Sequence, residues 1–71
     1  MEVDSVKHLR PIADGRANKL ITKLGIMAFG PETNIEIVAA LRNREDIYGP
    51  FSEDDICTIE LCEQAVANRR R

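Results

Sequence analysis

Residues 51–68 read FSEDDICTIELCEQAVAN, and this stretch carries the strongest helix-start signal in the chain. Ser52 followed three residues later by Asp55 forms a capping box, in which each side chain satisfies an amide at the other's position. Phe51 before the cap and Ile56 at the fourth helical position can pack together as a hydrophobic staple. The acidic first turn also suits the positive end of a helix dipole. We therefore predict a helix that runs to the end of this stretch.

The apolar residues of this helix cover a wide arc of its surface. At about 100° per residue they extend over roughly 200°, and a helix packed on one side needs about half of that. The excess predicts burial against something besides the chain's own core, and a second copy of the chain is the simplest candidate. We expect self-association through Cys57, Ile59, Leu61, Cys62 and Val66.

The segment before this helix, residues 47–51, contains Gly49 and Pro50 and so cannot continue a helix. Its three large apolar residues either pack over the core as a lid or anchor a partner. Acidic residues flank the segment on both sides. The second alternative predicts a contact surface for a protein with a basic surface, made of Glu45, Asp46, Tyr48, Phe51, Glu53 and Asp54.

A second helical piece follows Gly30 and Pro31. Thr33 and Glu36 again have the capping-box spacing, which predicts a helix over residues 33–45. Its apolar residues are numerous enough to be covered on more than one side. They are Ile35, Ile37, Val38, Ala39, Ala40 and Leu41.

The first piece has a regular helical stripe of apolar residues. Pro11 lies inside the stripe, where a proline removes one helix hydrogen bond and clashes with the carbonyl four residues earlier. We therefore expect a short helical turn over residues 4–9, a break or kink at Arg10, and a main helix from Pro11 to about Ala28. The stripe consists of Val6, Leu9, Ala13, Ala17, Leu20, Leu24 and Met27.

Together these pieces predict an all-α fold, a small three-helix bundle with an extra helical turn before Pro11. We expect a single domain over residues 1–71, with a frayed basic tail at residues 69–71. A domain of this size buries only about 60% of the surface that its unfolded chain exposes. Such domains usually depend on disulfides, a metal or self-association. Of these three, the residues favour self-association, through the C-terminal helix.

The net charge of −2 conceals a strong separation of charge along the chain. Residues 1–30 carry five basic and three acidic side chains, whereas residues 31–68 carry two basic and nine acidic ones. This polarity either attracts a basic partner or is an ordinary solvated exterior. Basic residues of the first piece could also hold a phosphate-bearing small ligand such as a nucleotide. The candidates are Lys7, Arg10, Arg16 and Lys19.

No pattern indicates a catalytic residue, a metal site or a cofactor. His8 is the single histidine, and no nucleophile or second ligand follows from its position. Cys57 and Cys62 fall about 140° apart on one helix and cannot bridge each other. We expect reduced, buried thiols in a cytoplasmic protein. An apolar run of about 18 residues and a signal peptide are both missing from the sequence, so no membrane partner is expected.

Nucleic acid is an unlikely partner because of charge. A helix-turn-helix presents the start of its recognition helix to the groove, and here that would bring Glu53, Asp54 and Asp55 to phosphate.

The sequence therefore predicts a non-enzymatic protein–protein interaction module, a homo-oligomeric inhibitor or adaptor that masks a surface of its partner. In its small size, acidity and helical character the chain resembles phage-encoded inhibitors and small bacterial regulators, although it shares no specific motif with them. The alternative is a binder or sponge of a phosphate-bearing ligand. A DNA-binding regulator is less favoured.

Overall fold

The computed structural model describes the backbone of residues 2–69 and the side chains of residues 11–30 and 32–68. This part of the chain contains helices and no strands, which confirms the all-α prediction. Its elements are α1 (Glu2–Leu24), α2 (Pro31–Ala39), a 3-10 turn (Leu41–Arg44), α3 (Glu45–Tyr48) and α4 (Glu53–Arg69). Helices α1, α2 and α4 pack on one another, and the 3-10 turn and α3 form the link between α2 and α4. The one-turn helix α3 was not predicted.

The core lies where α1, α2 and α4 meet. Small side chains on α1, Ala13 and Ala17, are fully buried, which lets α4 approach closely. The Cys62 Sγ of α4 lies 3.9 Å from the carbonyl oxygen of Ala13 at this contact. The remaining buried apolar residues are Leu20, Ile21, Ile35, Val38, Leu41, Ile59 and Ala65.

Of the break or kink expected at Arg10, the break is wrong, because α1 continues through Pro11. Pro11 itself is exposed. The separate helical turn at residues 4–9 is therefore part of one long helix. Packing of the buried residues that follow Pro11 holds α1 in place, which is how tertiary contacts override a local propensity.

The predicted end of this helix at Ala28 is also wrong, because α1 stops at Leu24. Gly25 has φ 78°, a left-handed conformation that favours glycine. The amide of Gly25 donates to the Thr22 carbonyl at 3.2 Å, and that of Ile26 donates to Ile21 at 3.0 Å. These two bonds form a Schellman motif that terminates the helix. Met27 consequently leaves the apolar stripe and is 72% exposed.

Helix α2 differs from the prediction at both ends. It begins at Pro31, two residues before Thr33, and its N-cap is Gly30, which has no side chain to cap the helix. The capping box predicted at Thr33 is therefore wrong. The chain leaves α2 after Ala39, and the 3-10 turn that follows keeps Leu41 buried. The single helix predicted over residues 33–45 is therefore three short elements.

The prediction for α4 is confirmed at its start. The Ser52 hydroxyl oxygen accepts a hydrogen bond from the Asp55 amide at 3.2 Å, and the helix begins at Glu53. The Asp55 carboxylate pairs instead with the Lys23 ammonium of α1 at 3.1 Å, which ties the start of α4 to the end of α1. Of the predicted frayed tail, Arg69 ends α4, and residues 70 and 71 lie outside the described residues.

Candidate functional site

The predicted partner residues lie around α3 and the start of α4. Phe51 and Ile56 border a shallow hollow of about 270 Å³, together with Glu45, and Ile59 lies at its base. Glu53 is exposed in the first turn of α4. We call the surface of Glu45, Phe51, Glu53 and Ile56 the acidic face.

Local structure holds the acidic face in place. Phe51 packs against the core as a half-buried residue, immediately before the Ser52 cap. Gly49 lies over the last turn of α3, and a Cβ atom built there would be 2.6 Å from the Glu45 carbonyl oxygen. Any larger residue would force the two apart, so glycine allows the close approach of α3 to the segment before α4.

The carboxylates of this region have few partners. Arg42, at the edge of the hollow, lies 3.5 Å from a Glu60 oxygen and 3.2 Å from a Glu63 oxygen. Arg42 therefore pairs with carboxylates farther along α4 and not with those of the acidic face. Within the described part of the chain, no ion pair involves the exposed carboxylates of Glu45, Asp46, Glu53 and Asp54.

Two exposed apolar side chains lie among these carboxylates. Ile56 is 39% exposed on the acidic face and Ile47 is 60% exposed on α3. Burying such side chains at a contact is favourable, at about 25 cal/mol per Å² of apolar surface. Unpaired carboxylates beside exposed isoleucines suit a partner surface that is basic and partly apolar.

The structure divides the predicted partner set. Tyr48 is half-buried and lies in a different hollow, on the side of α3 that carries Ile47. Asp54 lines a cleft with Arg16 and Lys19. These residues are neighbours in the chain but not in space, because α3 separates Tyr48 from Phe51 and Asp54 lies on the side of α4 that faces α1.

The exposure of Ile47 and Ile56 was not predicted from the sequence. The sequence places Ile47 in an apolar segment beside acidic residues. This pattern is the same whether the Ile47 side chain is buried or exposed. The side that faces solvent depends on how the 3-10 turn directs α3, and no local motif predicted that turn.

The basic candidates are partly brought together. Arg16 and Lys19 line a cleft of about 320 Å³ with Lys23. Asp54 and Asp55 line its other side, and Asp55 is already paired with Lys23. An anion in this cleft would therefore meet an unpaired carboxylate. The side chains of the other two candidates, Lys7 and Arg10, lie outside the described residues.

Most residues of the predicted self-association set lie in or against the chain's own core. Ile59 and Cys62 are buried against α1 and α2 and leave nothing for a second copy to contact. Leu61 and Val66 are half-buried and pack against the same core. Cys57 is exposed, so the prediction of two buried thiols holds only for Cys62. The apolar arc of α4 faces two neighbouring helices, α1 and α2.

The Cys62 thiol is held in its neutral form by its surroundings. Burial, and then the nearby Glu63 carboxylate, raise the pKa of Cys62 from 9.0 to about 11. Desolvation disfavours a thiolate, and the thiolate is the reactive form. The fully buried Cys62 is thus a packing residue.

Neither a metal-binding cluster nor a membrane-spanning helix is found among the described residues. No group of three or more His, Cys, Asp or Glu side chains in this part of the chain could hold a metal ion. Among the described helices, none has both the length and the apolar content that crossing a membrane requires. Comparisons with protein-family models, with curated proteins and with solved structures find no match for this chain.

Proposed function

We propose that the chain is a non-enzymatic protein–protein interaction module, an inhibitor or adaptor that uses the acidic face to cover a basic, partly apolar surface of another protein. The observation that carries this proposal is the exposed Ile56 beside Phe51, flanked by the unpaired carboxylates of Glu45 and Glu53. Phe51 is an anchor of low entropic cost, because its backbone is held by the Ser52 cap and by the short connection from α3.

The chemistry of the partner follows from the two kinds of group on the acidic face. Carboxylates on the rim steer a basic surface toward the face and are screened by salt. The apolar centre then supplies affinity through burial. The partner surface would therefore present arginine or lysine side chains around an apolar side chain that fills the hollow of about 270 Å³.

The test uses two double variants of equal charge. Glu53→Gln with Ile56→Ala alters the acidic face, whereas Glu32→Gln with Ile12→Ala alters α2 and α1. Each pair removes one carboxylate from the first turn of a helix and trims one exposed isoleucine. The immobilised proteins are exposed to extract from cells that make the chain, and retained proteins are identified and their affinities measured by calorimetry.

The proposal expects a retained protein whose dissociation constant rises at least about tenfold with the acidic-face variant and is unchanged with the control. Its affinity for the wild type should also fall as salt is raised. A partner that binds both variants and the wild type equally, or a chain that retains no protein, would contradict the proposal.

A second candidate function is the binding of a phosphate-bearing small ligand in the cleft of Arg16 and Lys19. The supporting observation is that these two cations face one cleft without an ion pair in the described part of the chain. Calorimetry against a panel of nucleotides would give heat that Arg16→Ala abolishes and Asp54→Asn increases, because Asp54 opposes an anion there. No heat from any nucleotide would exclude this function.

A further inference from the structure

A surface hollow of about 460 Å³ lies between α2 and α4, outside the acidic face. Its apolar lining consists mainly of small side chains, those of Ala39 and Ala40 from the end of α2 and of Ala67 from α4. Its charged lining consists of the carboxylates of Glu36 and Glu63. We call it the α2–α4 hollow.

The α2–α4 hollow and the hollow of the acidic face lie on the same side of α4. Ile56 and Ile59 line the hollow of the acidic face, and Glu63 and Val66 line the α2–α4 hollow. These four residues follow one another at steps of three, four and three positions, which places them on one stripe of the helix. The stretch from Ile56 to Ala67 rises about 16 Å, or about three helical turns. The two hollows are therefore the two ends of one groove along α4.

Arg42 connects the two hollows at the middle of this groove. It lines the hollow of the acidic face, and its guanidinium lies 3.2 Å from the carboxylate of Glu63, which lines the α2–α4 hollow. A Glu60 oxygen lies 3.5 Å from the same guanidinium. Ion pairs between exposed side chains are weak, and the side chain of Arg42 is 53% exposed. A cation of an occupant can therefore share these two carboxylates with Arg42.

The charges that line the groove favour a basic occupant. Three carboxylates, those of Glu36, Glu45 and Glu63, line the two hollows together with one cation, Arg42. Such an excess of negative charge attracts arginine and lysine side chains.

The shape of the groove favours a helix. An extended segment binds by pairing with a sheet edge, and the part of the chain that the structure describes has no strand. A helix satisfies its own backbone hydrogen bonds and can lie in a groove between two other helices. The small side chains of Ala39, Ala40 and Ala67 let the backbone of such a helix come close.

We infer that this groove receives a basic amphipathic helix of about three turns, presented by the partner protein. An apolar side chain of that helix enters the hollow of Phe51 and Ile56, and its arginine or lysine side chains lie along the carboxylates of the groove. The inference rests on the proposed function. It names the element of the partner that binds and extends the contact from the acidic face to α2.

The variants Asn43→Arg and Asn18→Arg test the contact in the α2–α4 hollow. Both asparagines are exposed, but Asn43 lines the α2–α4 hollow, whereas Asn18 lies on α1 and lines neither hollow. Asn43→Arg puts bulk and positive charge in the groove. Calorimetry with the protein that the immobilised chain retains should give a dissociation constant at least about tenfold above that of the wild type. Asn18→Arg should leave the constant unchanged, and circular dichroism verifies that both variants are folded.

Crosslinking identifies the occupying element. A benzoylphenylalanine side chain is placed at Asn43, and in a second sample at Phe51. Both samples should form adducts with the same protein, at sites no more than about 15 residues apart in its sequence, because a helix in the groove passes both hollows. A synthetic peptide that spans the two sites should be basic, should become helical on binding as measured by circular dichroism, and should bind the wild type more tightly than Asn43→Arg.

Three results would overturn the inference and leave the proposed function standing. They are a protein held by the acidic face that binds Asn43→Arg as tightly as the wild type, adducts from position 51 without any from position 43, and a crosslinked segment that is neither basic nor helical. A chain that retains no protein would instead contradict the proposed function, and the inference with it.

Discussion

At the scale of single residues, Asn34 is the polar side chain that shapes the connection between α1 and α2. It is 4% exposed, accepts a hydrogen bond from the Phe29 amide at 2.8 Å and donates one to the Phe29 carbonyl at 3.3 Å. These bonds satisfy a buried amide group that would otherwise be costly. The sequence did not predict this role, because an asparagine inside a helix forms such a contact only when the preceding loop folds back over it.

Replacing Asn34 with alanine is expected to reduce the free energy of unfolding by about 1–3 kcal/mol, since the backbone groups of Phe29 lose their partners. Urea denaturation measures the change. Asn43→Ala is the matched control, because Asn43 is exposed, and its effect should stay within about 0.5 kcal/mol. Equal losses from the two substitutions would show that Asn34 does not fasten this connection.

The buried thiol of Cys62 predicts how stability depends on pH. The unfolded chain loses this proton near pH 9.0, whereas the folded chain keeps it to about pH 11. Between these values the unfolded state binds fewer protons, so the thiol makes stability fall as pH rises, by at most about 1.4 kcal/mol per pH unit. Below pH 9.0 both states hold the proton and the effect is absent.

Unfolding free energies measured in a Cys57→Ala background isolate this effect, because Cys62 is then the only thiol. The free energy of unfolding by which the chain with Cys62 exceeds the Cys62→Ala variant should shrink as pH rises from 9.0 to about 11. An advantage that stays constant, or that grows, would mean that the folded chain does not hold the Cys62 proton. At neutral pH, iodoacetamide should modify the exposed Cys57 of the native wild type and leave Cys62 intact.

At the scale of elements, the start of α4 could be predicted and the limits of α1 and α2 could not. Ser52, Asp55 and the acidic first turn are local signals that agree. By contrast, Gly25 ends α1 through its backbone conformation, and the continuity of α1 through Pro11 depends on packing beyond that residue. Local motifs therefore identified the start of α4. The end of α1 depends on a local backbone turn that the sequence analysis did not assign, and its continuity depends on tertiary contacts.

Two glycines of the same region should respond oppositely to alanine. Gly25→Ala is expected to lower the free energy of unfolding by about 1 kcal/mol, because φ 78° is strained for an L side chain. Gly15→Ala is expected to raise the free energy of unfolding by about 0.5–1 kcal/mol, because Gly15 lies inside α1 and a Cβ there meets nothing within 4 Å. Thermal unfolding of both variants checks the pair. A stabilising Gly25→Ala would contradict the Schellman termination of α1.

At the scale of the whole molecule, the one-turn helix α3 separates two surfaces. The acidic face lies on one side, with Phe51 and Ile56, and a second hollow lies on the other, with Ile47 and Tyr48. The sequence predicted the charge and the apolar character of this region. It did not divide the region in two, because the walls of the second hollow come from distant parts of the chain such as Ile26 and Ile37.

Site-specific photo-crosslinking in the cells that make the chain shows whether the acidic face contacts a partner protein. A benzoylphenylalanine side chain is placed at Phe51, and in a second sample at Ile12 on α1. A covalent adduct with another protein is expected from position 51 and none from position 12, and the crosslinked peptide should contain lysine or arginine. Adducts from position 12 alone, or from neither position, would show that the acidic face does not contact a partner.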